Sequence, residues 1–314
     1  MMDNKFLVSS SPHIRGPFST RGIMADVLIA LLPSLVVAVY FLGIRALFVT
    51  LLSVASCVFF EALWNKITNK PMTVGDLSAV VTGVLLAFNL PVSIPFYIPI
   101  IGAFIAIIMA KQFFGGIGQN FINPALAARA VLLASFPQLM TDFSLPGVDG
   151  VSSATPLALI RTGEELPSIT SLLIGNVGGS IGEISALALL IGLVYLLYRK
   201  VINIRIPAVY VGSVFVLTYV LGLISSVNVN PLYEIMAGGL FLGAFFMATD
   251  YSTTPATPKG EIIFALGCGI LTTVIRLFGG YPEGTSYAIL IMNLTVPLID
   301  KYTVPKPFGA VNKS

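Results

Sequence analysis

The sequence predicts an all-α polytopic membrane protein with about ten transmembrane helices. Of its 314 residues, 56% are hydrophobic and only 10% are charged, and the mean hydropathy is +0.94. A soluble globular domain carries about 25% charged residues. Water therefore cannot be the main solvent of this chain. Apolar runs that approach the roughly 20 residues of a membrane span recur from one end of the chain to the other.

Ten apolar segments predict the helices. Several are short for a full span, and the fifth also contains Arg129. The segments lie at 23–43, 46–64, 76–91, 95–111, 124–136, 181–198, 206–223, 231–248, 261–277 and 285–300. Cys57 and Cys268 lie inside such runs, and an iron–sulfur cluster requires four thiolates. We therefore expect both cysteines to be small buried apolar side chains.

The distribution of Lys and Arg predicts the orientation. Cytoplasmic loops carry an excess of these residues. With a cytoplasmic N-terminus and ten alternating helices, most of the 17 Lys and Arg residues fall on the cytoplasmic side. Arg45, Arg161 and Arg276 fall outside, and Arg129 lies within a helix. Both tails, 1–22 and 301–314, are then cytoplasmic. The net charge of +3 is too small to indicate a nucleic-acid partner.

Two pairs of similar stretches indicate an internal repeat. TGVLLAFNLPVSIP (82–95) resembles LGAFFMATDYSTTP (242–255), and FFGGIGQN (113–120) resembles LFGGYPEG (277–284). The pairs follow the same order in both halves, with five helices each, so the halves enter the membrane in opposite senses. We predict a first repeat at 23–136, an external loop at 137–180 and a second repeat at 181–300. Such inverted repeats enclose sites near the midplane in transporters.

Charged residues inside the apolar segments are costly and therefore informative. Eight carboxylates lie near predicted helix ends, where a structural role outweighs ion binding: Asp26, Glu61, Asp76, Glu183, Glu234, Asp250, Glu261 and Asp300. Arg129 follows Asn-Pro by about one and a half turns, so we expect it to point into the protein, towards a carboxylate or a ligand phosphate. The sequence contains no metal-ligand spacing and no dinucleotide fingerprint.

The stretch DGVSSATPL, residues 149–157, is a polar, small-residue part of the predicted external loop. One interpretation is structural, because Thr155 followed by Pro156 is a good helix start and PLALIR could form a short surface helix. The other follows from D-x-x-S-S-A-T, which resembles the recognition motif of flavin transferase. This resemblance implies that Thr155 accepts FMN through a phosphoester bond, with Asp149, Ser152, Ser153 and Ala154 as the remaining motif residues. The acceptor hydroxyl should then be exposed.

Four blocks together resemble the NqrB/RnfD family of membrane flavoprotein subunits over nearly the whole chain. They are KQFFGGIGQNFINPALAARA (111–130), DGVSSATPL (149–157), ATDYSTTPATPKG (248–260) and RLFGGYPEGTSYAILIMN (276–293). The short tail before the first helix and the SSATPL version of the motif are more similar to the Rnf-type members. Ser153 stands where many relatives have Gly.

The resemblance implies a subunit of an inner-membrane complex that couples electron transfer between ferredoxin and NAD to the movement of Na⁺ or H⁺. Covalent FMN on Thr155 would relay electrons. A second, non-covalent flavin such as riboflavin would lie in the transmembrane part, close to the paired Phe-Gly-Gly breaks. Arg129 is a further candidate cofactor-binding residue. The implied partners are the other Rnf subunits, including a second covalent-flavin subunit, and a flavin transferase. Ferredoxin and NAD would bind other subunits.

Three alternatives remain open from the sequence. The chain could be an NqrB-like subunit of a Na⁺-pumping NADH:quinone reductase. It could be a channel without redox chemistry, since the resemblance also implies a urea/ammonium-transporter-like fold and a fold alone does not decide function. It could also be a passive assembly subunit without flavin. The flavin motif in the external loop favours the redox interpretation over the last two.

Overall fold

A computed structural model describes residues 19–144, 152–153, 155–162, 166–224, 230–279 and 283–305. Nearly all regular structure is helical. The α-helices are α1 (Thr20–Leu42), α2 (Ile44–Ile67), α3 (Ser78–Phe88), α4 (Tyr97–Phe104), α5 (Pro124–Ser135), α6 (Pro137–Met140), α7 (Pro156–Thr162), α8 (Ile169–Ile174), α9 (Ala186–Tyr198), α10 (Arg205–Ile224), α11 (Pro231–Met236), α12 (Leu240–Leu242), α13 (Pro258–Phe278) and α14 (Thr285–Thr303).

Short elements complete the fold. Two 3₁₀ turns lie at Val74–Asp76 and Gln112–Phe114, and π-helical turns at Ile105–Met109 and Gly243–Met247 continue α4 and α12. β1 (Phe143–Ser144) and β2 (Ser152–Ser153) form one two-residue antiparallel pair.

In the part of the chain that the structure describes, five helical stretches are long and apolar enough to cross a membrane: Thr20–Leu42, Ile44–Ile67, Tyr97–Phe114, Arg205–Ile224 and Pro258–Phe278. The predicted class, an all-α membrane protein with several spans, is therefore confirmed. Each of the ten apolar segments contains helix, but α3, α5 and α9 have only 11, 12 and 13 residues. At about 1.5 Å per residue, none of these three covers a hydrocarbon core of about 30 Å.

The short helices end at specific breaks. α3 stops at Phe88, where Asn89 and Pro91 follow. The eighth apolar segment is divided into α11 and α12 because Gly238 and Gly239 adopt φ of +69° and +66°, which glycine tolerates without strain. Asn89 is 2% exposed, so the break after α3 is covered by protein. Such non-helical backbone persists at membrane depth only where protein or water replaces lipid.

Small residues allow close helix contacts in the core. A Cβ on Gly83 of α3 would lie 2.6 Å from the Val54 Cα of α2, and Ser53 Oγ donates to the Gly83 carbonyl at 2.8 Å. A Cβ on Gly192 of α9 would overlap the Ala30 carbonyl oxygen of α1. Helix association in membranes depends on such close packing, because lipid tails are as apolar as the side chains.

Two cations that the charge count used to predict the orientation are buried. Lys111 is 3% exposed and its Nζ lies 2.7 Å from Glu61 Oε2. Arg276 lies inside α13, 4% exposed, with its Nη1 3.0 Å from Glu234 Oε2. The charge count gave Lys111 to the cytoplasmic side and Arg276 to the outside, and it did not predict that a buried carboxylate, distant in sequence, pairs with each cation. The orientation itself stays a prediction.

The two cysteines behave as expected. Cys57 and Cys268 are both fully buried and free, so they act as small apolar side chains of α2 and α13. Carboxylates near helix ends also agree with the sequence, since Asp26 in α1 binds Arg199 and Tyr195, and Glu261 in the first turn of α13 binds Arg205.

We predict that Gly192→Ala lowers the thermal stability of the detergent-solubilised chain by roughly 1–3 kcal/mol, because the added methyl group overlaps the α1 backbone. The matched control is Gly212→Ala in α10, where nothing lies within 4 Å of the new Cβ. This control should unfold at or above the wild-type midpoint, since alanine is the better helix former. Equal midpoints for the two variants would contradict the proposed α1–α9 contact.

Candidate cofactor site

Part of the flavin-type motif is held by backbone pairing. Ser153 pairs with Phe143 and Ser152 with Ser144 in the antiparallel β1–β2 pair. Asp149 and Ala154 lie outside the described residues. Thr155 comes two residues after Ser153 and directly before α7, so the motif lies between a strand and a helix start.

Thr155 is the N-cap of α7. Its Oγ1 accepts from the Ala158 backbone N–H at 3.3 Å, and its carbonyl oxygen accepts from the Leu159 N–H at 3.0 Å. Pro156 occupies the first helical position, where a missing N–H costs nothing. The predicted helix start is therefore confirmed, and the acceptor role of Thr155 stays a prediction.

The expected exposure of Thr155 is not observed, because the residue is only 5% exposed. The reason lies two residues further on. Leu157 is 3% exposed and packs with Leu172, Val177 and Ala237 in a small apolar cluster. A Cβ on Gly238 would overlap Leu157 Cδ1, so the glycine break between α11 and α12 receives this side chain. Packing of α7 on that break covers Thr155.

A polar anchor holds the segment that leads into β1. Ser93 Oγ donates to the Asp142 carbonyl oxygen at 2.6 Å. Arg45 Nη2 donates to the carbonyl oxygens of Ser93 and Ile94 at 2.9 and 3.1 Å, and its guanidinium lies 5.5 Å from the Phe96 ring centroid. The break after α3 is thereby tied to the strand that pairs with the motif. No local sequence signal marks this contact, since its partners are about 50 residues apart.

Arg129 points into the protein, as predicted. It is 7% exposed, donates through Nη1 to Asn89 Oδ1 at 2.7 Å and forms an ion pair through Nη2 with Glu283 Oε2. The expected carboxylate partner is thus confirmed. Among the described residues, no hydrogen bond or ion pair joins Arg129 to Thr155, so the structure does not bring these two candidate site residues into contact.

Arg276 makes the corresponding cluster beside Gly238. Its Nη1 donates to the Glu234 carboxylate and carbonyl, and its Nη2 donates to the carbonyl oxygens of Ala237 and Gly238, each at 3.1 Å. The guanidinium therefore satisfies carbonyl groups that the broken helix leaves without helical partners. Sequence reasoning missed this role, since it counted Arg276 as an external charge.

A cleft lies between α1, α3, the start of α5 and the turn after the second π-helical segment. It is partly open to solvent, and its polar lining includes Lys111, Asn120, Asn123, Asp250 and Ser252. Desolvation raises the pKa of the Asp250 carboxyl, which Ser252 and Thr253 partly offset by hydrogen bonding.

The two Phe-Gly-Gly breaks differ in their relation to this cleft. The first reaches it, because Ile117 and Asn120 of the 113–120 stretch line the cleft. In the described part of the second break, 277–279 and 283–284, no residue lines it. The hypothesis that both breaks border one flavin site therefore receives support from the first break alone.

We predict that Arg276→Met destabilises the chain by about 3–5 kcal/mol, because it leaves Glu234 buried without its counter-charge. Arg199→Met is the control, since Arg199 is half exposed and also pairs with a carboxylate, that of Asp26. This exposed pair should contribute far less to stability, because solvent screens the two charges. Thermal unfolding of both variants in the same detergent measures the difference, and an equal loss in both would exclude the proposed role of Arg276.

The chain is similar to known subunits of ion-translocating complexes over nearly its whole length. The sequence profile of the NQR2, RnfD, RnfE family matches residues 7–309. The chain is 52% identical to the D subunit of the Na(+)-translocating ferredoxin:NAD(+) oxidoreductase complex of Acetobacterium woodii, over 98% of this chain and 97% of that protein. It is 46% identical to the D subunit of the proton-translocating ferredoxin:NAD(+) oxidoreductase complex of Clostridium ljungdahlii, over 98% and 97%.

A more distant relative extends the comparison. The chain is 36% identical to the D subunit of the ion-translocating oxidoreductase complex of Shewanella amazonensis, over 97% of this chain and 98% of that protein. Coverage is nearly complete on both sides in all three cases, so the similarity is not confined to the motif at 149–155. The chain belongs to the NQR2, RnfD, RnfE family.

Proposed function

We propose that this chain is the membrane flavoprotein subunit of an ion-translocating ferredoxin:NAD oxidoreductase complex, and that it carries FMN on the Thr155 hydroxyl. The observation that carries the proposal is the conjunction of D-x-x-S-S-A-T with near-full-length similarity to D subunits of such complexes. The chain would act within the complex and not alone. Its partners would be the other subunits, among them a second covalent-flavin subunit.

The surroundings of Thr155 fit a phosphoester in one respect and constrain it in another. As the N-cap of α7, Thr155 Oγ1 already accepts from the Ala158 N–H, and backbone donors at a helix start suit phosphate oxygens. Because Thr155 is 5% exposed, the flavin transferase must act before α7 packs or while α7 is displaced. Bound FMN would supply a one- or two-electron carrier at this position.

The cleft beside Lys111 and Asp250 suits the second, non-covalent flavin. Its lining is largely apolar, with a few polar groups that could orient a ring system, as is usual for cofactor sites. We propose riboflavin or a related flavin as its occupant. In this arrangement Arg129 would be a structural residue, since its hydrogen bonds go to Asn89 and Glu283.

We also propose that the helices form two inverted five-helix repeats of the urea/ammonium-transporter type. In chain order, α3, α4 and α5 correspond to the α11–α12 pair, α13 and α14, and a break follows each of the first two in both halves. The halves meet at polar groups: Asn123 N–H donates to Asn293 Oδ1 at 3.2 Å, and Asn123 Nδ2 donates to the Met247 carbonyl at 3.3 Å.

Three other functions differ from the proposed one either in whether the chain carries a covalent flavin or in which subunits copurify with it. An NqrB-like subunit of a Na⁺-pumping NADH:quinone reductase would also carry the flavin, and copurifying subunits would separate that case. The relatives named as subunits of ferredoxin:NAD(+) oxidoreductase complexes favour the Rnf-type complex. A urea- or ammonium-type channel, or a passive assembly subunit, would carry no covalent flavin.

We predict that Thr155→Val abolishes in-gel flavin fluorescence of the denatured chain, because valine keeps the shape but offers no hydroxyl. The chain must be produced together with the flavin transferase. Thr155→Ser is the matched control, since it keeps the hydroxyl and the helix cap, and it should retain fluorescence. Fluorescence that survives in Thr155→Val, or that is missing from the wild type, would overturn the assignment.

We predict an external site for the motif and cytoplasmic termini. The test uses single cysteines at two exposed positions, Asp142→Cys before β1 and Lys66→Cys at the end of α2, in a chain lacking Cys57 and Cys268. A membrane-impermeant maleimide should label the Asp142→Cys variant in intact cells and the Lys66→Cys variant only after permeabilisation. The reverse pattern would show the opposite orientation.

A further inference from the structure

We propose that Glu183 binds a monovalent cation in the core of the protein, at the break between α11 and α12. Glu183 belongs to the stretch 177–186 before α9, in which all ten residues are buried and only the last, Ala186, is helical. Glu183 itself is 8% exposed. The proposal is independent of the flavin on Thr155.

The backbone holds this stretch firmly against the broken end of α3. The Gly182 N–H donates to the Phe88 carbonyl at 2.9 Å and the Ile181 N–H donates to the Leu90 carbonyl at 3.0 Å. Ser34 Oγ of α1 donates to the Gly182 carbonyl at 3.2 Å. A Cβ on Gly182 would overlap the Phe88 side chain, so no larger residue fits there. The Glu183 side chain therefore starts from a fixed backbone.

Two oxygen atoms of this turn have no hydrogen-bond partner among the described residues: Glu183 Oε2 and Ser180 Oγ. The other carboxylate oxygen, Glu183 Oε1, accepts from the Ser180 N–H at 2.8 Å, and the Glu183 N–H donates to the Ser180 carbonyl at 3.1 Å. Ser180 is completely buried. A buried polar atom without a hydrogen-bond partner is energetically unfavourable, and a bound ion would satisfy both oxygens.

Glu183 forms no ion pair within 4.0 Å in the described part of the chain, although its charge interacts favourably with the nearby Arg129 guanidinium. A Cβ on Gly239 would lie 2.7 Å from Glu183 Oε2 and 3.9 Å from Arg129 Nη1, and a Cβ on Gly238 would lie 3.0 Å from Arg276 Nη2. Arg129 forms its ion pair with Glu283, and Arg276 forms its ion pair with Glu234. The described cluster thus has three carboxylates and two guanidinium groups.

The charge balance of this cluster determines the kind of ligand. An ionised carboxylate buried without compensation is strongly unfavourable, and one positive charge neutralises the cluster. Carboxylate and hydroxyl oxygens are ligands for hard cations. A divalent cation would leave the cluster with an excess positive charge, so the site fits a monovalent cation.

The test measures thermal unfolding of the full chain in detergent, with any subunits that copurify, as NaCl replaces N-methylglucamine chloride at constant ionic strength. The wild-type midpoint should rise with Na⁺, because a ligand that binds the folded state stabilises it by mass action. Glu183→Gln should lose this response and unfold without Na⁺ no earlier than the wild type, since it removes the excess negative charge of the cluster. Glu261→Gln, whose carboxylate pairs with Arg205 near the surface, is the control and should respond like the wild type.

Ser180→Ala provides a second variant should Glu183→Gln fail to fold. It removes the buried hydroxyl and should raise the half-saturating Na⁺ concentration about tenfold. A wild-type unfolding midpoint that does not change with Na⁺, Li⁺ or K⁺ would overturn the proposal. A Na⁺ response of Ser180→Ala or Glu183→Gln equal to that of the wild type would also overturn it. Covalent flavin on Thr155 should be unchanged in every variant, so failure of this proposal and failure of the flavin assignment give different results.

Discussion

The constraint on which this structure depends is that a helix interrupted at membrane depth must find partners for its backbone and charges inside the protein. Lipid offers no hydrogen bonds to replace those lost at a break. At the break after α3, Arg129 donates a hydrogen bond to the Asn89 side chain, and the Gly182 N–H donates to the Phe88 carbonyl. At the break between α11 and α12, Arg276 donates hydrogen bonds to the carbonyl oxygens of Ala237 and Gly238. Buried arginines and irregular loops thus stabilise helices that would otherwise be incomplete.

The same breaks organise the candidate cofactor site. Gly238 has no side chain, so Leu157 occupies the space beside it and α7 packs on the break. Ser93, just after the α3 break, holds Asp142 and with it the strand that pairs with Ser152 and Ser153. The segment that ends at Thr155 is therefore attached to both breaks. In the proposed function, this attachment would hold an external flavin at a defined distance from the helix bundle.

Local features of the fold were predictable from the sequence. Thr155 before Pro156 specifies a helix start through contacts within four residues. Cys57 lies in an apolar run, which predicts a small buried side chain. Asn123 before Pro124 likewise begins α5, with its side chain capping Ala125 and Leu126. Each of these signals depends on neighbours in the chain, so tertiary packing did not override it.

Long-range partners could not be read in this way. Lys111 and Glu61 are separated by 50 residues, and Arg129 and Glu283 by 154, and neither carboxylate is marked by its neighbours. The burial of Thr155 depends on Leu157 meeting Gly238, which no periodicity encodes. The exposure expected of an acceptor hydroxyl was a chemical requirement of its modification, whereas burial is a property of the packed state.

The central claim, covalent FMN on Thr155, is tested most directly by mass spectrometry of the chain purified from a host that supplies the flavin transferase. The intact mass should exceed that of the sequence by the mass of one FMN less one water. Fragmentation should locate the added group on Thr155. An unmodified intact chain, or a flavin located on any other residue, would contradict this account.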